Sequence, residues 1–359
     1  MNFNKLIKIG KTQIGLKKPT IFIAEIGSNF DGNLNKAKDL IYAAKESGAD
    51  VAKFQHYSAD TLVSDTGFKK LKKNSTHQRN WKGSVFETYR KASLNPEWTR
   101  ELYETCKKAK IIFMSSPYSI GLADYVSPFL PAFKIGSGDI TWHEELKHIA
   151  KKKKPILLAT GASNLKEVIA AVKVISKINK DLVLMQCNTS YTNSPENLKF
   201  LNLSTIKTFQ SLFPNIITGL SDHTQNNDAV LAAVSMGARV IERHFTDSTK
   251  HKGPDHSFST DIKSFKKLVT KVRDLEKMLG DGVKRVEQNE KETLVVQRRS
   301  LYAKKDINKG QKIQKDHIIP LRPCLAGAFS ADSIKDIIGK KSRINIRNGQ
   351  VLKKKNFFN

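Results

Sequence analysis

The sequence predicts an α/β fold: a (β/α)8 TIM barrel followed by a small, mostly β C-terminal domain. Three observations carry this expectation. Short β-rich runs alternate with segments of helical period over most of the chain. Each run starts apolar and turns polar or Gly-rich at its C-terminal end, which is where such barrels build their sites. The last part of the chain then breaks the alternation with short β-runs and Gly turns.

In chain order the strand candidates are residues 20–27 (TIFIAEIG), 49–57 (ADVAKFQHY), 111–118 (IIFMSSPY) and 131–139 (PAFKIGSGD). They continue with 155–162 (PILLATGA), 181–189 (DLVLMQCNT), 215–224 (NIITGLSDHT) and 238–245 (ARVIERHF). Helical period marks 34–47, 97–109, 164–178, 197–213, 227–236 and 261–279. Eight strand-then-helix units in about 260 residues meet the requirement of a closed barrel. A doubly wound open sheet would carry a phosphate-binding glycine fingerprint after its first strand, and none is present. Residues 58–95, rich in Lys, Ser and Asn, interrupt the repeat and are expected to cover the rim as a loop or lid. The expected division is a barrel over 1–281, a charged linker with a short helix over 282–298, and a small β domain over 299–359. A domain of that size is marginal unless it packs on something.

Composition narrows the function classes. At 359 residues and 39% hydrophobic, the chain can bury one large core and a small one. It has no apolar run of the ~18 residues a membrane span needs. The N-terminal segment lacks the apolar stretch and cleavage site of a signal peptide. Cys106, Cys187 and Cys324 are far apart and match no metal or disulfide spacing. A reducing cytoplasm is the expected location. The net charge of +28 invites a nucleic-acid reading, but the lysines are dispersed and no nucleic-acid-binding motif accompanies them. The expectation is therefore no nucleic-acid partner and a positive field that draws in a small anionic substrate.

The strand ends supply the candidate chemistry. His223 closes the seventh strand and His244 sits in the eighth, with Glu242 two residues earlier and on the same side. Two imidazoles on adjacent strand ends can hold one divalent ion and leave positions for water and substrate. Hydrogen-bonded rim histidines are the plainer alternative. Lys53 and Lys134 lie within apolar strands, where an ammonium is costly unless it meets an anion or loses its proton. They suit phosphate and carboxylate binding, a Schiff base, or a structural pair with Glu25 or Asp139. Ser115 and Ser116 add hydroxyls for an anion. Gln55, Thr160, Asn188 and Thr189 are further polar strand ends. Glu25 and Asp139 are candidate acids, bases or sugar-orienting groups. Asp255, in the loop after the eighth strand, is a candidate to bind hydroxyls or a metal-bound water.

The segments AEIGSNFDG (24–32), GADVAKFQ (48–55), FKIGSGD (133–139), GLSDHT (219–224), GARVIERHF (237–245) and GPDHSFS (253–259) resemble, in order and spacing, the sialic acid synthase family. RRSLYAKKDI (298–307) resembles the start of that family's antifreeze-like, or SAF, domain. The resemblance spans nearly the whole chain. It implies an enzyme that joins phosphoenolpyruvate to an open-chain N-acyl amino sugar, such as N-acetylmannosamine, and releases phosphate. Legionaminic and, less readily, pseudaminic acid synthases share that chemistry on other sugars. It implies that His223 and His244 bind Mn2+ or Mg2+, which polarises the sugar aldehyde. Lys53, Lys134, Ser115 and Ser116 would hold phosphoenolpyruvate, while Glu25, Gln55, Asp139, Tyr191 and Asp255 would position sugar, water and metal shell. Thr160, Asn188, Thr189 and Glu242 would complete the substrate-binding rim. Arg322, in PLRPCLAGAF, matches the arginine that the family's small domain offers to the N-acyl group of the partner subunit's sugar, which implies a domain-swapped homodimer. Three positions depart from the family pattern: Phe30 where His is frequent, Thr192 where Pro usually follows the tyrosine, and the run after Arg322.

Overall fold

A computed structural model describes residues 2–71, 78, 81, 83–191 and 194–358. Thr192 lies outside the described residues, as do 72–77 within the insertion. Contacts divide the chain into two compact units, residues 1–280 and 281–359.

The first unit begins with an antiparallel hairpin, β1 (Leu6–Ile9) and β2 (Thr12–Gly15). Eight parallel strands follow: β3 (Ile21–Glu25), β4 (Val51–His56), β5 (Ile112–Pro117), β6 (Phe133–Ile135), β7 (Ile156–Ala159), β8 (Leu182–Cys187), β9 (Ile217–Asp222) and β10 (Val240–Thr246). Each pairs with the next, and β10 also pairs with β3, so the sheet closes. A two-residue strand, β11 (Thr260–Asp261), pairs in parallel with the end of β10. The helices are α1 (Leu34–Glu46), α2 (Ala59–Leu62), α3 (Asp65–Lys70), α4 (Val85–Ala92), α5 (Thr99–Ala109) and α6 (Ile120–Val126), then α7 (His143–Lys151), α8 (Leu165–Ser176), α9 (Thr205–Leu212), α10 (Asp228–Ser235) and α11 (Ile262–Leu279). This is the closed α/β barrel expected from the sequence.

Strand alternation divides the core into two shells. Outward residues such as Phe22, Phe54, Phe113, Leu158 and Phe245 pack beneath the helices. Inward residues such as Ile23, Val51, Met114, Leu157, Met185 and Val240 fill the interior together with Ile7, Ile9 and Ile14 of the hairpin. The hairpin therefore seals the end at which the strands begin, a role its sequence did not announce. With that half apolar, polar inward residues can lie only toward the strand C-termini.

The insertion after β4 is more ordered than a loop, since its described residues include α2, α3 and α4. Phe30, one of the departures from the family pattern, is buried outside the barrel against Phe54 and Trp98. Among the described residues no helix is long and apolar enough to cross a membrane.

The second unit contains helix α12 (Lys291–Gln297), an antiparallel pair β12 (Ser300–Ala303) and β13 (Ile318–Leu321), and a short helix α13 (Ile334–Ile337). Single β-bridges tie its loops together, and Leu301, Ile307, Ile313, Phe329, Ile346 and Leu352 form its own core.

Gly219 shows how tightly the barrel interior is packed. A Cβ there would sit 2.6 Å from the Val240 carbonyl oxygen and 3.0 Å from Met185 Cγ. Gly219→Ala is expected to destabilise the protein by about 1–3 kcal/mol through overpacking, read as a lowered denaturation midpoint at unchanged m-value.

Candidate functional site

The site follows from strand alternation carried past the apolar interior. Two residues beyond Ile23, Val51, Met114, Ala132 and Val240 come Glu25, Lys53, Ser116, Lys134 and Glu242. All five are buried, with Lys53 2% and Lys134 3% exposed. Lys53 contacts the Glu25 carboxylate, donates to Ser116 Oγ at 3.2 Å and lies 3.9 Å from Glu242. Lys134 pairs with Glu242 at 3.1 Å, and Ser221 donates to the same carboxylate oxygen at 3.3 Å. Glu25 and Asp139 were the carboxylates offered as structural partners for the two lysines; Lys134 pairs instead with Glu242, because both side chains point inward at the same level.

These charges tune one another. Burial drives the Lys53 ammonium down to about 7, with Glu242 opposing and Lys134 adding to the effect. Burial alone would raise Glu242, but Lys134 and Lys53 hold its carboxyl below the ordinary range. Asp139, on the turn after β6, is pushed up to about 6 by burial, against the pull of Lys134.

The next inward step on β9 and β10 reaches the imidazoles. His223 and His244 have ring centroids 5.5 Å apart. His223 Nδ1 bonds the Asn188 carbonyl oxygen at 2.8 Å. A carbonyl can only accept, so Nδ1 carries a proton, and in the neutral ring the lone pair that a metal requires is then on Nε2. Asp255 Oδ2 lies 4.0 Å from His244 Nδ1 and accepts from the Ser28 amide at 3.1 Å. Burial raises the Asp255 carboxyl, with the Ser28 amide opposing. Among the described residues no cluster of three or more His, Cys, Asp or Glu side chains forms a closed metal cage. The donor set that fits a divalent ion is therefore two imidazoles, with further positions left to water or substrate.

Tyr191 covers both rings, its centroid 4.3 Å from His223 and 6.2 Å from His244, and it rests on Phe258 at 4.9 Å. Beside it opens a cavity of about 160 Å3 that Gln55, His244 and Asp255 line. Its far wall comes from the insertion, where Tyr89 of α4 packs edge-on against Tyr57 at 5.5 Å.

Several expected residues lie elsewhere. Ser115 points outward, as its place beside Ser116 on a strand requires, and bonds His56 Nδ1 at 2.6 Å and the Phe54 carbonyl at 3.1 Å. Thr160 donates to the Met185 carbonyl and faces the helices rather than the charged cluster. The Asn188 side chain ties down the Phe200 carbonyl, and only its backbone oxygen reaches the site. Thr189 packs over Gly161, where a Cβ would meet its methyl at 2.4 Å. Arg322 is exposed on the second unit, just before a cis Arg322-Pro323 bond.

Other site residues escaped the sequence reading. Gly27 has φ +52°, and a Cβ there would fall 2.7 Å from Asp255 Oδ2, 3.4 Å from Glu25 Oε1 and 3.6 Å from His244 Nδ1. It is the point on which three candidate groups converge, and its place just after β3 was the available signal. Tyr57 and Tyr118, just past their strands, carried the same positional signal. Tyr89 carried none, because an aromatic in an amphipathic helix reads as ordinary packing.

Comparisons with known proteins identify the family of the chain. Residues 40–284 match the NeuB family and residues 298–357 the SAF domain. The N,N'-diacetyllegionaminic acid synthase of Campylobacter jejuni is 35% identical over 343 residues, covering 94% of this chain and 99% of that protein. Human N-acetylneuraminate-9-phosphate synthase is 30% identical over 338 residues, covering 93% and 91%. The crystal structure of an N-acetylneuraminic acid synthetase from Leptospira borgpetersenii superposes with a TM-score of 0.71 at 27% identity, over 82% of this chain and 96% of that one.

The charge array yields a stability prediction. Glu242→Gln takes from Lys134 its carboxylate partner and leaves Glu25 alone to balance two buried lysines, so it is expected to cost about 3–5 kcal/mol in denaturant unfolding at neutral pH. A loss below about 1 kcal/mol would show that Glu242 is not what neutralises the lysines.

Proposed function

Because the chain belongs to the NeuB family and carries a SAF domain, we propose that it condenses phosphoenolpyruvate with an open-chain N-acyl amino sugar, releasing phosphate and forming a 2-keto nonulosonic acid. The observation that carries the reading is the placement of two buried lysines beside two inward imidazoles at one barrel mouth. A substrate with phosphate and carboxylate groups needs such cations. An aldehyde that must accept a carbon nucleophile needs an electrophilic partner next to them.

In this reading Lys53, Lys134 and Ser116 hold the anionic groups of phosphoenolpyruvate. Glu25 and Glu242 keep the lysines neutralised until the substrate arrives, at which point the anion competes for the same ammoniums. His223 and His244 would hold Mn2+ or Mg2+, which when bound supplies Lewis acidity to the sugar carbonyl. Carbon 3 of phosphoenolpyruvate bonds to the aldehyde carbon, water adds at carbon 2, and the tetrahedral centre collapses as phosphate leaves. Asp255 orients His244, and its raised carboxyl is suited to exchanging a proton with the sugar or water. Gln55 and Asp139 position the sugar, and Tyr191 shields the imidazoles from bulk water. The same reading gives Arg322 to the N-acyl group of a partner subunit's sugar in a domain-swapped homodimer, and places the enzyme in the cytoplasm.

Two sugars compete. N-acetylmannosamine follows from the resemblance to sialic acid synthases. The 35% and 36% identities to two N,N'-diacetyllegionaminic acid synthases, against 30% to the human enzyme, favour a 2,4-diacetamido sugar.

The decisive assay is phosphate release from phosphoenolpyruvate by chelator-treated protein, with Mn2+ added back and each sugar supplied in turn. Metal-dependent release with one sugar is expected, and His223→Ala should lower it by about 100-fold or more, the worth of several kcal/mol of Lewis-acid catalysis. Absence of release with any N-acyl sugar from a folded protein would overturn the proposal. The pH dependence has a definite sign. Lys53 binds an anion as its ammonium, and with its pKa near 7 it loses that proton above neutrality. kcat/KM for phosphoenolpyruvate should therefore fall as pH rises past about 7, since that ratio reports the free enzyme.

A further inference from the structure

We infer that the buried Asp222–Arg243 ion pair is the positioning device that sets His223 and His244 at the spacing a shared divalent ion needs. This rests on the reading of those imidazoles as metal donors.

Each member of the pair is the chain neighbour of one imidazole, Asp222 of His223 and Arg243 of His244. On a strand, neighbours face opposite ways, so the ion pair sits on the outer face directly behind the two inward rings. The β9–β10 ladder runs from Val240↔Gly219 to Arg243↔Asp222 and ends there. His244 is still held by its rung to Glu25 of β3. His223 lies past the last rung, at the start of the loop that leads to α10.

The ion pair takes over where the ladder stops. Arg243 Nε donates to Asp222 Oδ2 at 3.0 Å, and Nη2 donates to the same carboxylate. Nη2 also reaches the Asn226 carbonyl at 2.5 Å and Thr224 Oγ1 at 3.4 Å. Asp222 in turn accepts from the Thr224 amide at 3.0 Å. The loop is thus bonded to Arg243 on both sides of His223, while the Asn188 carbonyl fixes the ring itself from within the barrel. Arg243 is 1% and Asp222 2% exposed. A buried ion pair is often no more stabilising than apolar side chains of similar volume. Its planar, forked geometry offers what an apolar pair cannot, a bonded link between one strand and one specific turn.

The test uses the full-length protein, freed of metal with chelator, and titrates it with Mn2+ while free Mn2+ is read by electron paramagnetic resonance. The variants are His223→Ala, Asp222→Asn, and the double change Asp222→Leu with Arg243→Met, which replaces both charges together so that neither is left unpaired. Thermal melting is recorded for each. The expected result is Mn2+ binding that His223→Ala abolishes and that both ion-pair variants weaken by about 10- to 100-fold, as loss of an outer support does, with the double variant melting like the parent. If that folded double variant binds Mn2+ as tightly as the parent, the inference is overturned and the metal reading survives. Mn2+ binding indifferent to His223→Ala removes the metal reading and this inference with it. Loss of fold in the double variant would assign the pair to stability alone and overturn the inference equally.

Discussion

Everything at the mouth of this barrel depends on the mutual neutralisation of four buried charges. Lys53 and Lys134 cannot stay charged in an apolar interior by themselves, and neither can Glu25 and Glu242. Set together they satisfy one another, and the barrel can carry ammoniums at a depth where water would otherwise have to follow. Such an arrangement stores binding capacity. An anion that enters replaces carboxylates already present, so the positive groups are preorganised without being solvated.

The array is possible because the opposite end of the barrel is closed. Ile7, Ile9 and Ile14 of the hairpin complete a fully buried apolar inner core. The polar layer is consequently one step deep, between a sealed apolar floor and a rim of aromatic side chains. Tyr191, Tyr89 and Phe258 set a roof of aromatic rings over that layer, beside polar groups such as Gln55 and Asp255. The insertion after β4 owes its place to this need for a roof.

The eight-strand plan, the polar strand ends and the inward direction of Glu25, Lys53, Lys134 and Glu242 were legible because each depends only on local periodicity. The pairing of His223 with His244 was legible for a similar reason, since adjacent strands in a barrel place equivalent ends side by side. Ser115 and Thr160 fall outside the site because polarity at a strand end does not fix the face, and both lie on the outer one. A single step of register separates Ser116, in contact with Lys53, from Ser115, bonded to His56 beneath the helices. Gly27 was overlooked because its importance lies in the side chain it lacks.

By itself, the sequence determined the fold, the polar character of the strand ends and the neighbouring placement of the two imidazoles. These follow from alternation, apolar runs and the chemistry of residues at strand ends, all of which act over a few positions. Only the tertiary structure decided that Lys134 answers to Glu242 rather than Asp139, that Asp255 reaches back to Ser28 and His244, and that Tyr89 walls the cavity. Each of these joins residues far apart in the chain. Their distances are set by barrel closure and by loops packing across the rim, and no local pattern encodes a closure.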